Sequence, residues 1–436
     1  MFNYTGNNND QIELQSAELL YERLQLTLAF SKRYRMSTAV CYLKLHFPFE
    51  KLIFNKDFEK ARSLINMIMT RLNSSIRDID SAIRINSSEF VLLLADVTED
   101  DCKMICERII NAISDTYQIE FNHYLISCNI GICMFPYGAE DPEELIALSK
   151  AQMYESETIG NNHFIIFKGD LNQNSYRKVI IENDLPYALR KGQLYVEYQP
   201  QFQVKNSKIK GVESLIRWNH PSLGQVSPNE FIPFAEASGV MNDLFFWLLK
   251  EICKLNDETL DLTYSINLSV NQLLLNGFVQ DVSNIVNKYS VPAKSITLEI
   301  TENIEIYTLK EVENILHSLK NIGFNIALDD FGNGYFSFSN FIALPIDFIK
   351  LDRDFVSSLI NNKKHKHVIS PIITMAHNLG LEVIIEGIED DYQFFDWRNL
   401  GCDIIQGYYI SKPISYDQLQ KSICDIELKV NSFKEK

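Results

Sequence analysis

The chain has 436 residues, of which 46% are hydrophobic and 22% charged, an ordinary composition for a water-soluble globular protein of about two domains. Its 57 acidic and 41 basic residues give a formal net charge of −16, which excludes non-specific binding to nucleic acid or to anionic lipid as a main activity. A phosphate-containing ligand would therefore have to be held by local cations or by metal ions.

No apolar run approaches the ~20 residues of a membrane span. The longest, FVLLLADV at 90–97, has the length of a strand, and the polar start MFNYTGNNND lacks the apolar core of a signal peptide. We expect a cytoplasmic protein without membrane contact. The eight cysteines include no CxxC pair, which favours reduced structural thiols over a zinc site.

Helical and strand patterns alternate in the first part of the chain, which predicts an α+β domain with a mainly antiparallel sheet. Helices are predicted at 13–32, 55–77, 99–114 and 142–157, strands at 38–47 and 125–135, and a hairpin at 82–97. A polar stretch at 168–178 then marks a linker or a helix cap. We therefore expect domains at 1–168 and 169–436.

From about residue 179 the chain alternates strand-like and helical patterns. Strands are predicted at 194–202, 210–218, 264–269, 295–301, 325–331, 348–353, 382–388 and 403–409. Helices are predicted at 179–191, 229–237, 244–255, 278–289, 309–321, 364–379 and 391–400. Eight strands over about 250 residues predict a (β/α)8 barrel. The first two follow one another closely, which allows one of them to run against the others.

Polar residues lie at or near the end of almost every predicted barrel strand, where such barrels place their active sites. They are Glu213, Asn267, Glu299, Asp329, Asp330, Lys350, Asp352, Glu386 and Gln406. Any one of them alone is more simply a surface residue or a structural hydrogen-bond partner. Together they offer hard oxygen ligands suited to Mg²⁺ or Mn²⁺, in a number that suggests two metal ions and phosphoryl hydrolysis.

Two basic residues fit the same chemistry. Lys350 could hold an attacking water or the developing charge on a phosphate. Arg217 lies four residues after Glu213, on the same face of a strand by the period of two, and could bind phosphate.

Residues from about 175 to 430 carry motifs in a fixed order. Glu213-Ser214-Leu215 forms an E-x-L-x-R pattern with Arg217. The others are YQPQ at 198–201, FIPFAEASG at 231–239, INLS at 266–269, LEITEN at 298–303, ALDDFGNGY at 327–335, IKLD at 349–352, IIEGIE at 384–389 and QGYYISKP at 406–413. In these motifs the second half resembles the EAL-domain phosphodiesterases.

The resemblance implies a TIM-like barrel that hydrolyses cyclic di-GMP to linear pGpG with two Mg²⁺ or Mn²⁺ ions, and a homodimer formed through this domain. It implies metal ligation by Glu213, Asn267, Glu299, Asp329, Asp330 and Glu386. It implies catalytic roles for Lys350, Asp330 and Glu386, and substrate binding by Gln199, Leu215, Arg217, Asp352 and Gln406. Glu302 and Glu389 would support the loop and the dimer side of the site.

Departures from the family pattern are few and spare the metal-ligand positions. Ser214 replaces the alanine of the naming motif. Asn333 and Phe336 replace small hydroxyl residues in the loop that the family uses to couple dimer contact to metal binding. The resemblance therefore leaves the tuning of that loop open.

Residues from about 13 to 168 resemble a GGDEF diguanylate cyclase domain whose motifs have degenerated. The turn that should read GGDEF reads Asn86-Ser87-Ser88-Glu89-Phe90, so that both glycines and one acid are lost. Other positions of the family's site are replaced by Lys44, Leu52, Ala61, Glu157 and Asn161. The resemblance implies a regulatory domain without cyclase activity, open to a nucleotide or to a protein partner.

One element of that family is retained. Arg77 and Asp80 have the spacing of an RxxD inhibitory site, where arginine could bind a guanine edge or a phosphate. The alternative is a structural or surface ion pair at a helix end.

Other function classes remain open at this stage. A catalytically inactive cyclic di-GMP receptor would usually lack metal ligands, and here all of them are present. A scaffold with two degenerate domains and a bifunctional cyclase–phosphodiesterase are the further alternatives; Lys44 and Ser88 disfavour the latter.

Overall fold

The computed structural model describes residues 8–47, 58–255, 260–301, 308–332, 338–352 and 366–432. The chain divides into two compact units, Met1–Asn183 and Asp184–Lys436. Among the described residues, no helix is both long and apolar enough to cross a membrane.

The first unit is α+β, as predicted. Its strands are β1 Thr38–His46, β2 Ser81–Arg84, β3 Glu89–Ala95, β4 Tyr117–Ile119, β5 Asn122–Tyr124, β6 Ser127–Phe135 and β7 Phe164–Ile166. Its helices are α1 Asn8–Tyr34, α2 Phe58–Ser74, α3 Glu99–Ser114 and α4 Pro142–Ile159. Five strands form one sheet in the order β2-β3-β1-β6-β7, in which the β6–β7 pair is parallel and the other pairs are antiparallel.

The predicted hairpin is formed by β2 and β3, and its turn is held by one side chain. Oδ1 of Asn86 accepts hydrogen bonds from the backbone N–H groups of Ser88 and Glu89, both at 2.9 Å. An asparagine that bonds backbone two residues further on is a normal way to stabilise a turn without glycine. The substituted turn is thus internally satisfied.

A connecting helix, α5 Gln173–Ala188, begins inside the stretch expected to be a linker or a cap. The cap is Asn172, whose Oδ1 accepts from the backbone N–H groups of Asn174 and Ser175. The division between the two compact units, after Asn183, falls within this helix.

The second unit contains the predicted barrel. Its strands are β8 Leu194–Gln203, β9 Lys208–His220, β10 Gly224–Val226, β11 Thr263–Asn267, β12 Ile296–Thr301, β13 Asn325–Asp329, β14 Phe348–Leu351, β15 Glu382–Ile385 and β16 Ile404–Gln406. Its helices are α6 Pro228–Ser238, α7 Val240–Leu255, α8 Val270–Leu273, α9 Phe278–Tyr289, α10 Leu309–Ile322, α11 Phe338–Ala343, α12 Lys366–Asn378, α13 Asp391–Leu400 and α14 Tyr416–Ser432.

The barrel closes through its first strand, β8, which runs against the other seven barrel strands. The sheet order is β9-β11-β12-β13-β14-β15-β16-β8, and β8 also pairs with β9, with β10 added at the edge of β9. The pairs from β9 to β16 are parallel, whereas β8 is antiparallel to both of its neighbours. The allowance for one reversed strand among the first two is confirmed.

Three of the buried cysteines come together in the core of the first unit. The Sγ atoms of Cys41 on β1 and of Cys102 and Cys106 on α3 all lie within 4.8 Å of one another. Cys102 and Cys106 lie about one helical turn apart on α3, and Cys41 joins them from β1.

Candidate active site

The polar residues predicted at the strand ends lie on one end of the barrel. They include Glu213 on β9, Asn267 ending β11, Glu299 on β12, Asp329 ending β13, Lys350 on β14, Glu386 directly after β15 and Gln406 ending β16. Gln199 on β8, which the family resemblance implied as a substrate contact, pairs with Glu213 in the sheet. In parallel strands the carboxyl ends meet at one rim, so residues far apart in sequence converge there.

Lys350 lies at the centre of this convergence and is only 1% exposed. Its Nζ is 2.6 Å from Glu386 Oε1, 2.7 Å from Glu299 Oε2, 3.2 Å from Asp329 Oδ2 and 4.0 Å from Glu213 Oε2. Four carboxylates around one ammonium leave three formal negative charges in a buried cluster.

Glu213 is fixed by amide donors on the other side. Asn267 Nδ2 donates to Glu213 Oε1 at 2.9 Å, and Gln406 Nε2 donates to Glu213 Oε2 at 2.6 Å. Gln406 Nε2 also donates to Gln199 Oε1 at 3.1 Å. The carboxylate of the E-x-L motif is therefore oriented from both of its oxygens.

Asp329 and Asp330 share a local turn. Asp330 has a left-handed backbone with φ of 56°, and its N–H donates to Asp329 Oδ1 at 2.9 Å. A non-glycine residue in this conformation is uncommon and is maintained here by the surrounding structure.

The excess of negative charge separates the pKa values of the acids. Burial raises the pKa of Glu299 well above its usual range and that of Glu386 to about 8; Lys350 opposes the rise, and the neighbouring carboxylates add to it. Burial alone would also raise the pKa of Glu213, but Lys350 and the two amide donors outweigh it and the pKa is lowered. Burial likewise opposes the charge of Lys350, yet the surrounding carboxylates hold its pKa well above the usual value.

The cluster fits divalent metal ions. All of its candidate ligand atoms are carboxylate or amide oxygens, the type that Mg²⁺ and Mn²⁺ prefer. Oε1 of Glu299 is buried without a hydrogen-bond partner, which is costly for a carboxylate oxygen unless a cation satisfies it. The surplus of negative charge points the same way.

Other predicted residues lie outside this cluster. Nε of Arg217 donates to Glu197 Oε2 at 2.8 Å, and Leu215 lies one alternating position before it on β9. Asp352 follows the end of β14, and the N–H of Glu389 donates to Gln393 Oε1 at 2.8 Å beside α13. Glu302, Asn333 and Phe336 lie outside the described residues.

Sequence reasoning missed Gln201. It is 3% exposed, and its Nε2 donates to Gln406 Oε1 at 2.9 Å. The signal was present, because Gln201 lies two residues after Gln199 and therefore on the same face of its strand.

In the first unit, Lys44 and Glu157, two of the positions read as departures from the cyclase pattern, form an ion pair with each other, and the retained acid Glu89 has separate partners. Lys44 Nζ is 3.0 Å from Glu157 Oε1. Glu89 is buried, accepts from the Tyr42 hydroxyl at 2.9 Å and lies 3.8 Å from Lys150 Nζ.

Arg77 and Asp80, the two residues of the predicted inhibitory site, differ in their exposure to solvent. Asp80 is buried, and its two oxygens accept from the backbone N–H groups of Arg77 and Ala95 at 2.9 and 3.0 Å. Arg77, in contrast, is exposed. Asp80 thus has a structural role in this arrangement.

Each of the two units is matched by a protein-family model. A family model described as "EAL domain" matches residues 182–413, and one described as "Diguanylate cyclase, GGDEF domain" matches residues 18–163.

Two proteins of Pseudomonas aeruginosa are similar over most of this chain. The bifunctional diguanylate cyclase/cyclic di-GMP phosphodiesterase MucR is 31% identical over 83% of this chain and 53% of its own length. The cyclic di-GMP phosphodiesterase NbdA is 28% identical over 88% of this chain and 49% of its own length. The chain spans about half the length of these curated relatives.

A solved structure described as the PaMucR phosphodiesterase in complex with c-di-GMP is similar to the second unit. It is 32% identical, with a TM-score of 0.53, over 55% of this chain and 99% of that one.

Proposed function

The chain belongs to the EAL domain family, with a GGDEF domain in tandem, and on that premise we propose that it hydrolyses cyclic di-GMP to pGpG. The observation that carries the proposal is the group of four carboxylates around buried Lys350, with the unpartnered Oε1 of Glu299. In the reaction, water oxygen joins phosphorus while one P–O3′ bond breaks, and the leaving oxygen takes a proton.

The proposed cofactor is a pair of Mg²⁺ or Mn²⁺ ions. Their ligands would be Glu213, Asn267, Glu299, Asp329, Asp330 and Glu386. When bound, such ions acidify water and stabilise negative charge on phosphate oxygens.

The chain's own groups would position the substrate and move the proton. Glu386, directly after β15 at the rim of the barrel, would accept a proton from water once its own carboxyl is ionised. The ammonium of Lys350 would stabilise charge on the attacking oxygen. Gln406 and Gln199 would bind the substrate beside Glu213. Leu215 and Asp352 would also contact the substrate.

Arg217 is proposed as a phosphate contact. It donates to Glu197 through Nε and to the Ile216 carbonyl through Nη1, and a guanidinium has five N–H donors in all. It can therefore bind a phosphate oxygen while Glu197 keeps its orientation fixed.

We further propose that the GGDEF domain is regulatory and makes no cyclic di-GMP. The support is the Lys44–Glu157 ion pair, which is formed by two substituted positions, and the retained acid Glu89, which is buried and lies 3.8 Å from Lys150 Nζ. A nucleotide or protein partner of this domain, cytoplasmic location and a homodimer through the EAL domain are the remaining parts of the proposal.

The test is turnover of cyclic di-GMP by the full chain with Mg²⁺ or Mn²⁺, followed by chromatography. We expect pGpG from the native sequence and a loss of more than about 100-fold in Glu213→Gln, since a metal-ligand change should cost at least what a supporting residue does. Glu382→Gln is the matched control, because Glu382 begins its strand at the opposite end of the barrel and pairs with Lys210.

Binding of cyclic di-GMP without turnover in either metal would replace the enzyme by a receptor. Equal loss in Glu213→Gln and Glu382→Gln would show that the strand-end acids have no special role.

A further inference from the structure

Gln201 contacts the side-chain amide of Gln406, which in turn donates to Glu213 of the candidate site. It lies on β8 opposite Gln406 of β16 on one side and Gly211 of β9 on the other. A Cβ at Gly211 would collide with Thr263 and would also come within 3.2 Å of Gln201 Oε1, so glycine leaves room for both side chains.

Gln201 and Glu213, on opposite sides of the Gln406 amide, favour the same orientation of it. Because Nε2 of Gln201 donates at 2.9 Å, only the oxygen of Gln406 can face it. The amide nitrogen of Gln406 must then point the other way, toward Glu213 and Gln199. A reversed Gln406 would place its oxygen against the Glu213 carboxylate.

We propose that Gln201 is a positioning residue, which holds Gln406 so that its N–H groups fix Glu213 for metal binding. This inference rests on the proposed phosphodiesterase function and adds a residue to it. Supporting residues that orient metal ligands typically change metal affinity or activity by about 10–100-fold when replaced.

Two substitutions of nearly equal size test the role. Gln201→Glu is measured at alkaline pH, because burial favours its neutral form and a neutral carboxyl could still donate. Once ionised it presents only acceptors, so Gln406 reverses to donate to it and the Gln406 oxygen meets Glu213. Gln201→Met removes the donor without imposing the reversal. We expect apparent Mn²⁺ affinity to fall about 10–100-fold in Gln201→Glu and by less in Gln201→Met.

The readouts are the rise in melting temperature with Mn²⁺, which needs no turnover, and kcat and KM for cyclic di-GMP at saturating metal. Gln203→Met is the control, since Gln203 lies two residues further along β8 and bonds Asn206 at the surface. We expect this variant to match the native chain in metal response and turnover.

The outcomes separate the two levels of inference. A native chain with neither metal response nor turnover would overturn the phosphodiesterase proposal, and the inference would fall with it. An active native chain with an unchanged metal response in Gln201→Glu would overturn the positioning role alone. A lower melting temperature with the same gain from Mn²⁺ would show a packing role only, and would also overturn it.

A second and independent observation is the sulfur cluster in the first unit. Cys41, Cys102 and Cys106 are each 0% exposed, and their Sγ atoms lie within 4.8 Å of one another. Cys102 and Cys106 are four residues apart on α3, so one helix face directs both sulfurs toward β1. Three converging sulfurs are a ligand set for a soft metal ion.

The ligand number indicates which ion. Structural Zn²⁺ is almost always held by four ligands. Within the described parts of the chain, no fourth cysteine, histidine or carboxylate joins this cluster. Cu(I) is soft and binds thiolates. We propose that the three cysteines form a three-coordinate Cu(I) site.

The experiment is anaerobic loading of the full chain with Cu(I) in competition with a chromogenic Cu(I) chelator. We expect one equivalent to be retained by the native chain and lost in Cys41→Ala and in Cys102→Ala. Because the sulfurs are buried, uptake should be slow and release slower still.

Cys133→Ala is the matched control, since Cys133 is a buried thiol of the same domain outside the cluster, and it should retain the ion. A native chain that retains none would show that the three thiols only fill the core. Retention by Cys41→Ala equal to the native chain would place the ion elsewhere; either result overturns the proposal.

Discussion

At the scale of single residues, Lys350 acts as an internal counter-ion for the acids of the barrel. It is buried, and its Nζ contacts carboxylates from four different strands or strand ends. An unpaired buried charge is far more destabilising than a broken surface pair. The contribution of Lys350 to the free energy of unfolding should therefore depend on whether metal ions are bound.

Replacing Lys350 by methionine should destabilise the metal-free barrel by about 3–5 kcal/mol, because the carboxylates lose their compensating charge. Saturating Mn²⁺ should recover part of that loss, since it neutralises the same acids. Chemical denaturation with and without chelator measures both. Lys210→Met serves as control, because its partly exposed pair with Glu382 should contribute no more than about 1 kcal/mol. Equal losses in the two variants would contradict the counter-ion role.

The raised pKa of Glu386 predicts a pH dependence in the chelated protein. An acid whose folded pKa is raised from 4.5 to about 8 stabilises the fold below its unfolded pKa and loses that contribution as pH rises through the folded value. The free energy of unfolding should therefore fall between about pH 4.5 and 8. Denaturation curves across this range measure it.

The same titration should appear in metal binding. Because Glu386 must lose its proton to bind a cation, the stabilisation by Mn²⁺ should grow over the same pH window. Glu386→Gln has no proton to lose, so a pH dependence identical to that of the native chain would show that another group is responsible.

At the scale of elements, the sequence predicted the barrel strands because each contains a run of buried apolar residues. Such runs can be recognised in the sequence without knowledge of their tertiary contacts. The short strand Gly224–Val226 was missed, since three residues with one buried side chain give no periodic signal. The start of the connecting helix was missed because its cap, Asn172, resembles linker composition.

The site was predictable to the extent that it lies at strand ends. Convergence of Glu213, Glu299, Asp329, Lys350 and Glu386 follows from parallel pairing alone. Alternation with Gln199 placed Gln201 on the same face of its strand, but the hydrogen bond from Gln201 to Gln406 was not predictable, because it depends on barrel closure by a reversed strand. The pairing of Arg217 with Glu197 is likewise a side-chain contact between two antiparallel strands that only the structure shows.

Gly407 makes a close approach that positions Gln406. A Cβ at Gly407 would collide with the backbone of Ile388, whose N–H donates to the Gln406 carbonyl at 3.2 Å. Gly407→Ala should therefore cost about 1–3 kcal/mol and reduce turnover, because the strand end must move away from Ile388. Melting temperature and kcat at saturating metal are the measurements.

Gly401→Ala separates the clash from backbone strain. Gly401 has φ of 89° but open space around it, so alanine there should cost about 1 kcal/mol and leave turnover unchanged. A Gly407→Ala variant as active as Gly401→Ala would mean that the close approach is not needed to hold Gln406.

At the scale of the whole molecule, the net charge of −16 opposes the approach of an anionic dinucleotide. Raising ionic strength from about 10 to 150 mM shortens the screening length from about 30 to 8 Å. At saturating metal, kcat/KM for cyclic di-GMP should therefore increase with salt while kcat changes little. Steady-state kinetics at several NaCl concentrations measure this, and a decrease with salt would indicate that cations at the mouth of the site dominate the field.

The hydrogen bond between Gln201 and Gln406 joins the first and last strands of the barrel across 205 residues of sequence. During synthesis on the ribosome, β8 emerges early and must wait for β16 before the cylinder can close. Until then Glu213 lacks one of its two amide donors, because Gln406 has not yet been made. We therefore expect a nascent or C-terminally truncated chain that lacks β16 not to hydrolyse cyclic di-GMP. Hydrolysis should begin only once translation has passed this last strand.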